Sequence, residues 1–294
     1  MALRIKVMLM KDFFAPLPLI LDGATGTQLQ KFGMPAGGCT ECWVLENPEA
    51  IIKIQRAYVD AGSGAVYAPT FGANRVSLGK YGLEDKVREY CLRLVELSRR
   101  AVAGRALVGG DMAPTGLMPE PYGTSNPEEL EGIFREQAAA LEEAGVDFFG
   151  LETQMYLEET KAAVAAVKSV SKKPILVSFT CTPAGKSLWG EDFVSILECL
   201  QGMGIDAFGI NCCGDLGLLT DILRRLKTHA RLPLIAKPNA GMPDMSSGEA
   251  VYHMSPEDLA TYILDFVANG AIILGGCCGT HEGHIAAIRQ ALKK

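Results

Sequence analysis

The sequence predicts an α/β protein built as a single (β/α)8 barrel of the TIM type. Three observations lead to this prediction. The chain has 294 residues, 48% of them hydrophobic and 21% charged, which is enough for one large core of roughly 250 residues. Eight short apolar runs alternate with eight helical segments, as in a parallel sheet buried on both faces. Reactive and polar residues follow the apolar runs, where barrel enzymes place their active sites.

The first half of the chain supplies four predicted strand–helix units. Residues 1–16 are expected to form an N-terminal arm and residues 17–294 the barrel. The strands are short apolar runs bounded by Gly, Pro or polar residues, predicted at residues 18–21, 65–70, 106–111 and 148–151. The helices carry apolar residues at helical spacing and are predicted at residues 48–61, 86–102, 127–144 and 156–171.

The second half repeats the same pattern four times. The predicted strands are residues 174–179, 208–212, 234–236 and 271–277. The predicted helices are residues 192–203, residues 215–230, a helix that begins at Ser255, and residues 281–294. Ser255 and Asp258 form a capping-box pattern, with Asp where Glu or Gln is usual.

Most of the predicted strands end at a polar or sulfur-containing residue. These strand-end residues are Asp22, Thr70, Asp111, Glu152, Cys212, Asn239, Cys277 and Cys278. In a (β/α)8 barrel the carboxyl ends of all strands meet at one face. The sequence therefore predicts an active site, including a zinc site, at the C-terminal end of the strands.

Composition and charge argue against several kinds of partner. The net charge is −6, and no block of Lys or Arg occurs, so neither nucleic acid nor an anionic membrane is an expected partner. No run reaches the roughly 18 apolar residues of a membrane span. The apolar stretch within Met1–Met10 is too short for a signal peptide with its cleavage site. We therefore expect a cytoplasmic protein with reduced thiols.

Three of the nine cysteines stand out. Cys212 ends the sixth predicted strand, and Cys277 and Cys278 end the eighth, between glycines that let a ligand approach closely. Only strand seven separates these strands in a barrel, so the three thiols could converge on one metal ion. Catalytic zinc keeps a fourth position open beside three protein ligands. An all-sulfur ligand set favours zinc over magnesium or calcium.

Other interpretations of the cysteines stay open. The three thiols could be small buried hydrophobes, since free Cys is among the most buried residue types. A disulfide between Cys277 and Cys278 is a further alternative, which a reducing compartment disfavours. We interpret the Cys39-Thr40-Glu41-Cys42 sequence as an incidental loop pair. Cys213 is expected to be a bystander whose side chain points away from the site.

An amino-acid pocket is predicted beside the thiols. Asp22 and Glu152 end two different strands at the same barrel mouth, and their carboxylates suit a cationic ammonium group. The backbone N–H groups of Gly23–Gly26 suit a carboxylate. Roles as helix caps or salt-bridge partners are the alternative for both acids. A phosphate site is not indicated, because no Gly-x-Gly-x-x-Gly follows strand one.

Five stretches of the chain resemble one known family. They are Leu21-Asp22-Gly23-Ala24-Thr25-Gly26-Thr27, Pro69-Thr70-Phe71-Gly72-Ala73-Asn74, Gly209-Ile210-Asn211-Cys212, Pro238-Asn239-Ala240-Gly241 and Gly275-Gly276-Cys277-Cys278-Gly279-Thr280. Through them the chain resembles the homocysteine S-methyltransferase family over about residues 17–292. Within that family it resembles the homocysteine-binding domain of cobalamin-dependent methionine synthase. The last stretch is the most specific.

The resemblance implies a (β/α)8 barrel and assigns roles to its residues. The implied zinc ligands and catalytic residues are Cys212, Cys277 and Cys278. The implied substrate-binding residues are Asp22, Gly23, Ala24, Glu152 and Asn239. The two acids would hold the amino group of homocysteine. Asn239 would lend its side-chain oxygen to the metal when substrate is absent.

The activity that the resemblance implies is methylation of homocysteine to methionine. The homocysteine thiol would be held on zinc as a thiolate and would attack an activated methyl group. The expected donor is methylcobalamin on a separate corrinoid protein, or on cobalamin and folate modules that lie outside this chain. No aromatic cage for betaine is recognisable. The alternatives are a betaine- or S-methylmethionine-dependent enzyme, or a non-catalytic zinc-binding scaffold for a corrinoid protein.

Overall fold

The computed structural model describes residues 18–118, 123–246, 248 and 250–293. The expected N-terminal arm, residues 1–16, lies outside the described residues. The strands are Leu19–Ile20 (β1), Ala65–Tyr67 (β2), Leu107–Met112 (β3), Phe148–Gln154 (β4), Ile175–Phe179 (β5), Ala207–Asn211 (β6), Leu234–Lys237 (β7) and Ala271–Leu274 (β8). The main helices, one after each strand, are Pro48–Ala61, Val87–Val102, Pro127–Glu143, Leu157–Val170, Phe193–Gly202, Leu216–Lys227, Pro256–Ala268 and Glu282–Ala291.

The eight strands are parallel and follow one another in chain order around a barrel, with β8 paired to β1. Two hydrogen bonds bridge the remaining gap between β1 and β2. The Gly64 N–H donates to the Ile20 carbonyl at 2.8 Å, and the Ser63 hydroxyl donates to the Leu21 carbonyl at 2.9 Å. This topology confirms the predicted (β/α)8 barrel.

The predicted bounds of strands and main helices agree with the structure to within three residues. The expected strict alternation is wrong in the connections that follow β1 and β2. These connections contain the short helices Gly26–Lys31, Thr40–Glu46 and Arg75–Gly79 and the 3-10 turn Glu84–Lys86. Local caps stabilise such turns in sequence that otherwise indicates loops. For example, the Asn74 side chain accepts hydrogen bonds from the N–H groups of Val76 and Ser77.

Side-chain caps also fix where the main helices begin. Asn126, Asp192, Asp215 and Ser255 each accept a hydrogen bond from a backbone N–H of the first turn. The predicted capping box of Ser255 and Asp258 is present. An outer hydrophobic core lies between these helices and the strands. Among the helices that the structure describes, none is long and apolar enough to cross a membrane.

Two aromatic rings fill the barrel interior below its mouth. Tyr67 of β2 and Phe148 of β4 belong to a separate inner hydrophobic cluster, with their ring centroids 5.7 Å apart. Glycines on β3 and β4 leave the space for these rings. A Cβ at Gly109 would lie 2.4 Å from the Phe148 ring, and a Cβ at Gly150 would lie 2.3 Å from the Tyr67 ring. The two glycines therefore set where the rings can pack.

We expect Gly150→Ala to destabilise the protein by about 1–3 kcal/mol, because the added methyl group would overlap the Tyr67 ring. The matched control is Gly132→Ala, in the helix Pro127–Glu143, where a Cβ would meet open space. This change should stabilise the protein by about 0.5–1 kcal/mol, the usual gain for Gly to Ala in a helix. Urea unfolding measures both effects. Equal stability of the two variants would contradict the packing argument.

Candidate active site

Three thiols meet at the mouth of the barrel. Cys212 follows β6, and Cys277 and Cys278 follow β8. Their sulfur atoms all lie within 4.8 Å of one another, and Cys212 Sγ lies 3.9 Å from Cys278 Sγ. Across the described ranges, this is the one group of His, Cys, Asp or Glu side chains with the spacing of a metal site. The structure thus brings together the three cysteines that the sequence singled out.

The donor set fits a tetrahedral zinc ion. Two thiolates bound to zinc at about 2.3 Å lie about 3.8 Å apart at the tetrahedral angle, close to the 3.9 Å between Cys212 and Cys278. Asn239 lies next to both cysteine segments, because its N–H donates to the Cys213 carbonyl and the following N–H, of Ala240, donates to the Cys278 carbonyl. Asn239 Oδ1 is buried and has no hydrogen-bond partner among the described residues. A bound cation would satisfy this oxygen, which is otherwise costly to bury.

An unusual backbone conformation accompanies the thiol of Cys212. Cys212 has a φ of 54° and Thr153 a φ of 58°, in the left-handed region that residues other than glycine seldom adopt. Asn211 links the two segments. Its side-chain oxygen accepts from the Thr153 N–H at 3.0 Å, and its amide donates to the Thr153 hydroxyl at 2.7 Å and to Cys277 Sγ at 3.8 Å. Conformations of this kind are typical of functional sites held by their surroundings.

The loop after β8 is bound to the Gly-rich loop after β1. The Gly276 N–H donates to the Asp22 carbonyl at 2.9 Å. The Thr280 hydroxyl donates to the Cys277 carbonyl at 2.7 Å and accepts from the Ala24 N–H at 3.1 Å. The two loops therefore form one unit, in which the cysteine pair and the predicted amino-acid pocket are adjacent.

Hydrogen bonds among the three thiols shift their pKa values in different directions. The Cys212 and Cys277 thiols hold the pKa of Cys278 well below its usual range, and the Tyr252 hydroxyl lowers this pKa further. The pKa of Cys212 is raised, first by its hydrogen bond with Cys277, then by that with Cys278 and by burial. The hydrogen bonds therefore favour ionisation of one thiol of the cluster over the other two.

A buried ammonium lies between the two predicted acids. Lys237, the last residue of β7, is 2% exposed. Its Nζ donates to Glu152 Oε1 at 2.6 Å and to Asp22 Oδ1 at 3.3 Å, and it lies 4.3 Å from the centroid of the Tyr67 ring. The other carboxylate oxygen of Asp22, Oδ2, accepts from the Tyr67 N–H at 2.8 Å. Asp22 therefore connects β1 to both β2 and β7.

Burial has the largest single effect on the pKa of each residue in this cluster. It raises the pKa of Asp22 to about 6, although the charge of Lys237 and the Tyr67 N–H act in the opposite direction. It also raises the pKa of Glu152. Burial alone would lower the pKa of Lys237, but the attraction of Glu152 and Asp22 raises that pKa well above its usual value. Lys237 therefore stays charged at neutral pH.

One cavity of about 610 Å³ joins the thiols to this cluster. All three cysteines, Lys237 and both of its carboxylate partners line the cavity. Gly23 and Ala24, which we expect to bind substrate, line it as well. The Ala24 N–H is already donated to Thr280. The N–H groups of Gly23 and Thr25, in contrast, form no hydrogen bond with a described residue.

The other cysteines lie apart from the three thiols. Cys213 Sγ donates to the Asp215 carbonyl at 3.3 Å, away from its neighbour's sulfur. Cys39 caps the short helix that contains Cys42, whose N–H it accepts at 3.4 Å. Cys39 also lines the cavity. All nine cysteines are free thiols.

Prediction from sequence named the two acids as binding residues but missed the cation between them. The signal for Lys237 is its place in the strand. Ile235 belongs to the inner hydrophobic cluster, and alternate residues of a strand face the same side, so Lys237 must point into the barrel. The same alternation applies to β3. A Cβ at Gly109 would meet the ring of Phe148 inside the barrel, so Asp111, two residues further along, also points inward.

Comparison with known proteins gives a consistent result. A family model described as homocysteine S-methyltransferase matches residues 19–292. The methionine synthase of Mycobacterium leprae is 30% identical over 94% of this chain and 24% of its own length. The methionine synthase of Mycobacterium tuberculosis is 29% identical over 96% of this chain and 25% of its own length. The chain thus spans about a quarter of the length of these relatives.

A solved structure extends the similarity to the whole fold. The metallated form of the homocysteine methyltransferase MmuM from Escherichia coli superposes with a TM-score of 0.79 and 27% sequence identity. The match covers 92% of this chain and 95% of that one. This chain and MmuM therefore correspond over nearly their full lengths.

We expect Lys237→Met to cost about 3–5 kcal/mol of stability at pH 7, because it leaves two buried carboxylates without their cation. The loss should shrink as the pH falls toward 5. The folded-state pKa of Asp22 is about 6 even with the lysine present, above the value of about 3.9 for an unfolded chain. The charge of Lys237 lowers this pKa, so the pKa is higher still in the variant. The folded variant therefore binds the proton at a higher pH than the wild type and regains part of its stability as the pH falls.

Chemical unfolding of the metal-free protein at pH 7 and pH 5 measures this effect. The control is Lys161→Met, which removes an exposed ion pair with Glu158 and should change stability by less than about 1 kcal/mol at either pH. An equal loss for Lys237→Met at both pH values would show that lost packing, and not uncompensated charge, is responsible.

Proposed function

The chain belongs to the homocysteine S-methyltransferase family, and from this premise we propose that it is a zinc-dependent enzyme that methylates homocysteine to methionine. The observation that carries the proposal is a cavity in which three thiols converge beside buried acidic residues. The thiols suit a metal ion that activates a sulfur nucleophile, and the acids suit an ammonium group. A thiol amino acid is the ligand that uses both.

Cys212, Cys277 and Cys278 would hold the zinc ion. Bound there, zinc would lower the pKa of the substrate thiol and so supply a thiolate nucleophile at neutral pH. Three cysteine ligands leave one tetrahedral position for that thiol. We propose that Asn239 Oδ1, which is buried without a partner among the described residues, occupies this position until the substrate displaces it.

The carboxylates and the Gly-rich loop would orient the substrate. Asp22 and Glu152 line the cavity and are buried, so an ammonium near them is attracted with little screening by water. The N–H groups of Gly23 and Thr25 would bind the substrate carboxylate, since Thr280 already accepts the N–H of Ala24. With both ends held, the thiol is positioned for in-line attack on the methyl group.

We propose methylcobalamin, carried by a separate corrinoid protein or by a cobalamin module, as the methyl donor. Among the described residues, all but one of the exposed large hydrophobic side chains lie in segments that join a strand to its main helix. They are Phe32, Phe71, Tyr81, Met118, Leu188, Met242, Met245 and Val251. Exposed apolar side chains at the end of the barrel that holds the thiols suit contact with a partner protein. Similarity to methionine synthases supports the same donor.

A small methyl donor is the second candidate. The extensive match to E. coli MmuM, a homocysteine methyltransferase of similar length, favours an enzyme that works as one domain. S-methylmethionine or betaine would then be the donor. The experiments below distinguish this candidate, and also a non-catalytic zinc-binding scaffold, from the corrinoid-dependent enzyme.

The state of the cysteines bears on where the enzyme works. All nine are free thiols, and Cys212 Sγ lies only 3.9 Å from Cys278 Sγ, which makes this pair open to oxidation. A reducing compartment preserves such thiols. We therefore propose a cytoplasmic location.

Zinc content and proton release test the thiol-activating site. Purified under reducing conditions, the wild type should contain about one zinc ion per chain and should release protons when homocysteine binds, because the thiol ionises at the metal. Cys277→Ser should lose both properties. Cys213→Ser should keep both, because the Cys213 thiol is directed to the Asp215 carbonyl. Zinc binding without a response to homocysteine would favour the scaffold, and a zinc-free wild type would contradict the metal site.

The donor is identified by turnover. Zinc-loaded protein with homocysteine should form methionine from methylcobalamin and not from betaine or S-methylmethionine. Cys277→Ser is the control for reaction that does not need the site. Methionine formed from either small donor, with none from methylcobalamin, would replace the corrinoid proposal with the second candidate.

A further inference from the structure

Tyr252 packs against the loop that carries two of the three thiols. It lies in the connection between β7 and the helix Pro256–Ala268. A Cβ at Gly279, the residue after Cys278, would lie 2.3 Å from Cγ of the Tyr252 ring, so the ring covers the backbone of Gly279. The Tyr252 side chain also forms a hydrogen bond with the Cys278 side chain. Tyr252 therefore contacts this thiol without being one of the residues that line the cavity.

The backbone holds Tyr252 in this place from both sides. Val251, the residue before it, forms an antiparallel bridge within the same connection. Two residues after it, the Met254 N–H donates to the Ala240 carbonyl at 3.1 Å, and the Ala240 N–H in turn donates to the Cys278 carbonyl at 2.9 Å. The tyrosine and its partner cysteine thus belong to one network of backbone hydrogen bonds.

Cys277 has a comparable polar partner. The Asn211 amide donates to Cys277 Sγ at 3.8 Å, and Asn211 is buried and held by its two hydrogen bonds with Thr153. The sulfur of Cys212 differs, because in the described part of the chain its hydrogen-bond partners are the other two thiols. Two of the three sulfurs therefore have a hydrogen-bond donor outside the group of cysteines, and the structure describes none for Cys212.

These donors affect the metal once the thiols are ionised. A thiolate accepts hydrogen bonds and cannot donate them, whereas a tyrosine hydroxyl is protonated at neutral pH and can donate. The resulting hydrogen bond is assisted by the charge of the sulfur. It draws negative charge from the sulfur and so tunes a metal ion bound there. A zinc ion that receives less charge from its ligands lowers the pKa of a bound substrate thiol further.

We propose that Tyr252 is a positioning residue of the metal site, which donates a hydrogen bond to the Cys278 thiolate. Together with Asn211 at Cys277, it reduces the charge that two of the three sulfurs give to the metal. The inference rests on the proposed zinc site and deepens it. Tyr252 acts through Cys278 and does not contact the substrate. Its effect is to favour the ionised form of the substrate thiol on the metal.

Cobalt(II) in place of zinc makes this hydrogen bond measurable. Thiolate-bound cobalt absorbs in the near ultraviolet through charge transfer from sulfur to metal, and the band moves to longer wavelength when the sulfur is more electron-rich. Tyr252→Phe removes the hydroxyl and keeps the ring over Gly279. We expect the charge-transfer band of this variant to shift to longer wavelength, while the visible bands of tetrahedral cobalt keep their intensity.

Homocysteine binding provides the second measurement. Tyr252→Phe should raise the dissociation constant of homocysteine for the zinc-loaded protein about 3- to 10-fold at pH 7, because the bound thiol ionises less readily without the hydrogen bond. Calorimetry measures this change. The matched control is Tyr262→Phe. Tyr262 lies in the helix Pro256–Ala268 and packs on the Phe266 ring, so its substitution should change neither the cobalt spectrum nor the dissociation constant.

The outcomes separate this proposal from the function on which it rests. A charge-transfer shift together with weaker homocysteine binding, in Tyr252→Phe and not in Tyr262→Phe, would support it. The absence of either effect would overturn the role of Tyr252 and leave the metal site intact. Loss of the tetrahedral bands in Tyr252→Phe would overturn it as well, since the tyrosine would then only hold the loop in place. A wild type that binds no cobalt would overturn the proposed metal site, and this inference with it.

Discussion

The site depends on one buried charge, the ammonium of Lys237. A lysine that is 2% exposed is stable only when nearby groups replace its hydration. Here Glu152, Asp22 and the face of the Tyr67 ring do so. These residues belong to β4, the end of β1, and β2, while the lysine ends β7. Compensation of one charge therefore requires strands from around the whole barrel to keep their relative positions.

The glycines of β3 and β4 are part of the same arrangement. Because a Cβ at Gly150 would overlap the Tyr67 ring, glycine there leaves space for the ring in the inner cluster, where the ring face contacts the ammonium. Asp22 then extends the arrangement to the thiols, since its carbonyl accepts the Gly276 N–H. Barrel packing, the acidic cluster and the cysteine loop are thus consecutive parts of one structure. A change in the inner packing would reach Cys277 and Cys278 through this path.

The sequence predicts the strands, the main helices and the three cysteines because each is encoded locally, by an apolar run, a helical period or a strand end. Lys237 is different. A lysine followed by proline at a strand end usually indicates a solvated turn, and its two partners lie 215 and 85 positions away in the sequence. Only barrel closure brings them together. The carboxylate oxygen of Asp111 that lacks a hydrogen-bond partner in the described part of the chain could not be predicted from nearby residues either. It depends on which of the three acids Lys237 contacts.

The short helices in the first two connections were missed for a different reason. They depend on side-chain caps, such as Asn74, that composition alone does not reveal.

Charge at the mouth also bears on the donor. With zinc bound as proposed, three thiolates on a divalent cation carry a net charge of about −1. In a cavity of low dielectric constant this negative field keeps the substrate sulfur electron-rich and attracts a donor with a cationic or electron-poor methyl group. A sulfonium, a quaternary ammonium and a methyl-corrinoid all meet that condition. The charge of the site therefore limits the donors to those with a cationic or electron-poor methyl group. It does not distinguish among these donors, which differ in size. The exposed apolar side chains in the strand-to-helix connections are the feature on which the proposal of the largest donor, a methyl-corrinoid, rests.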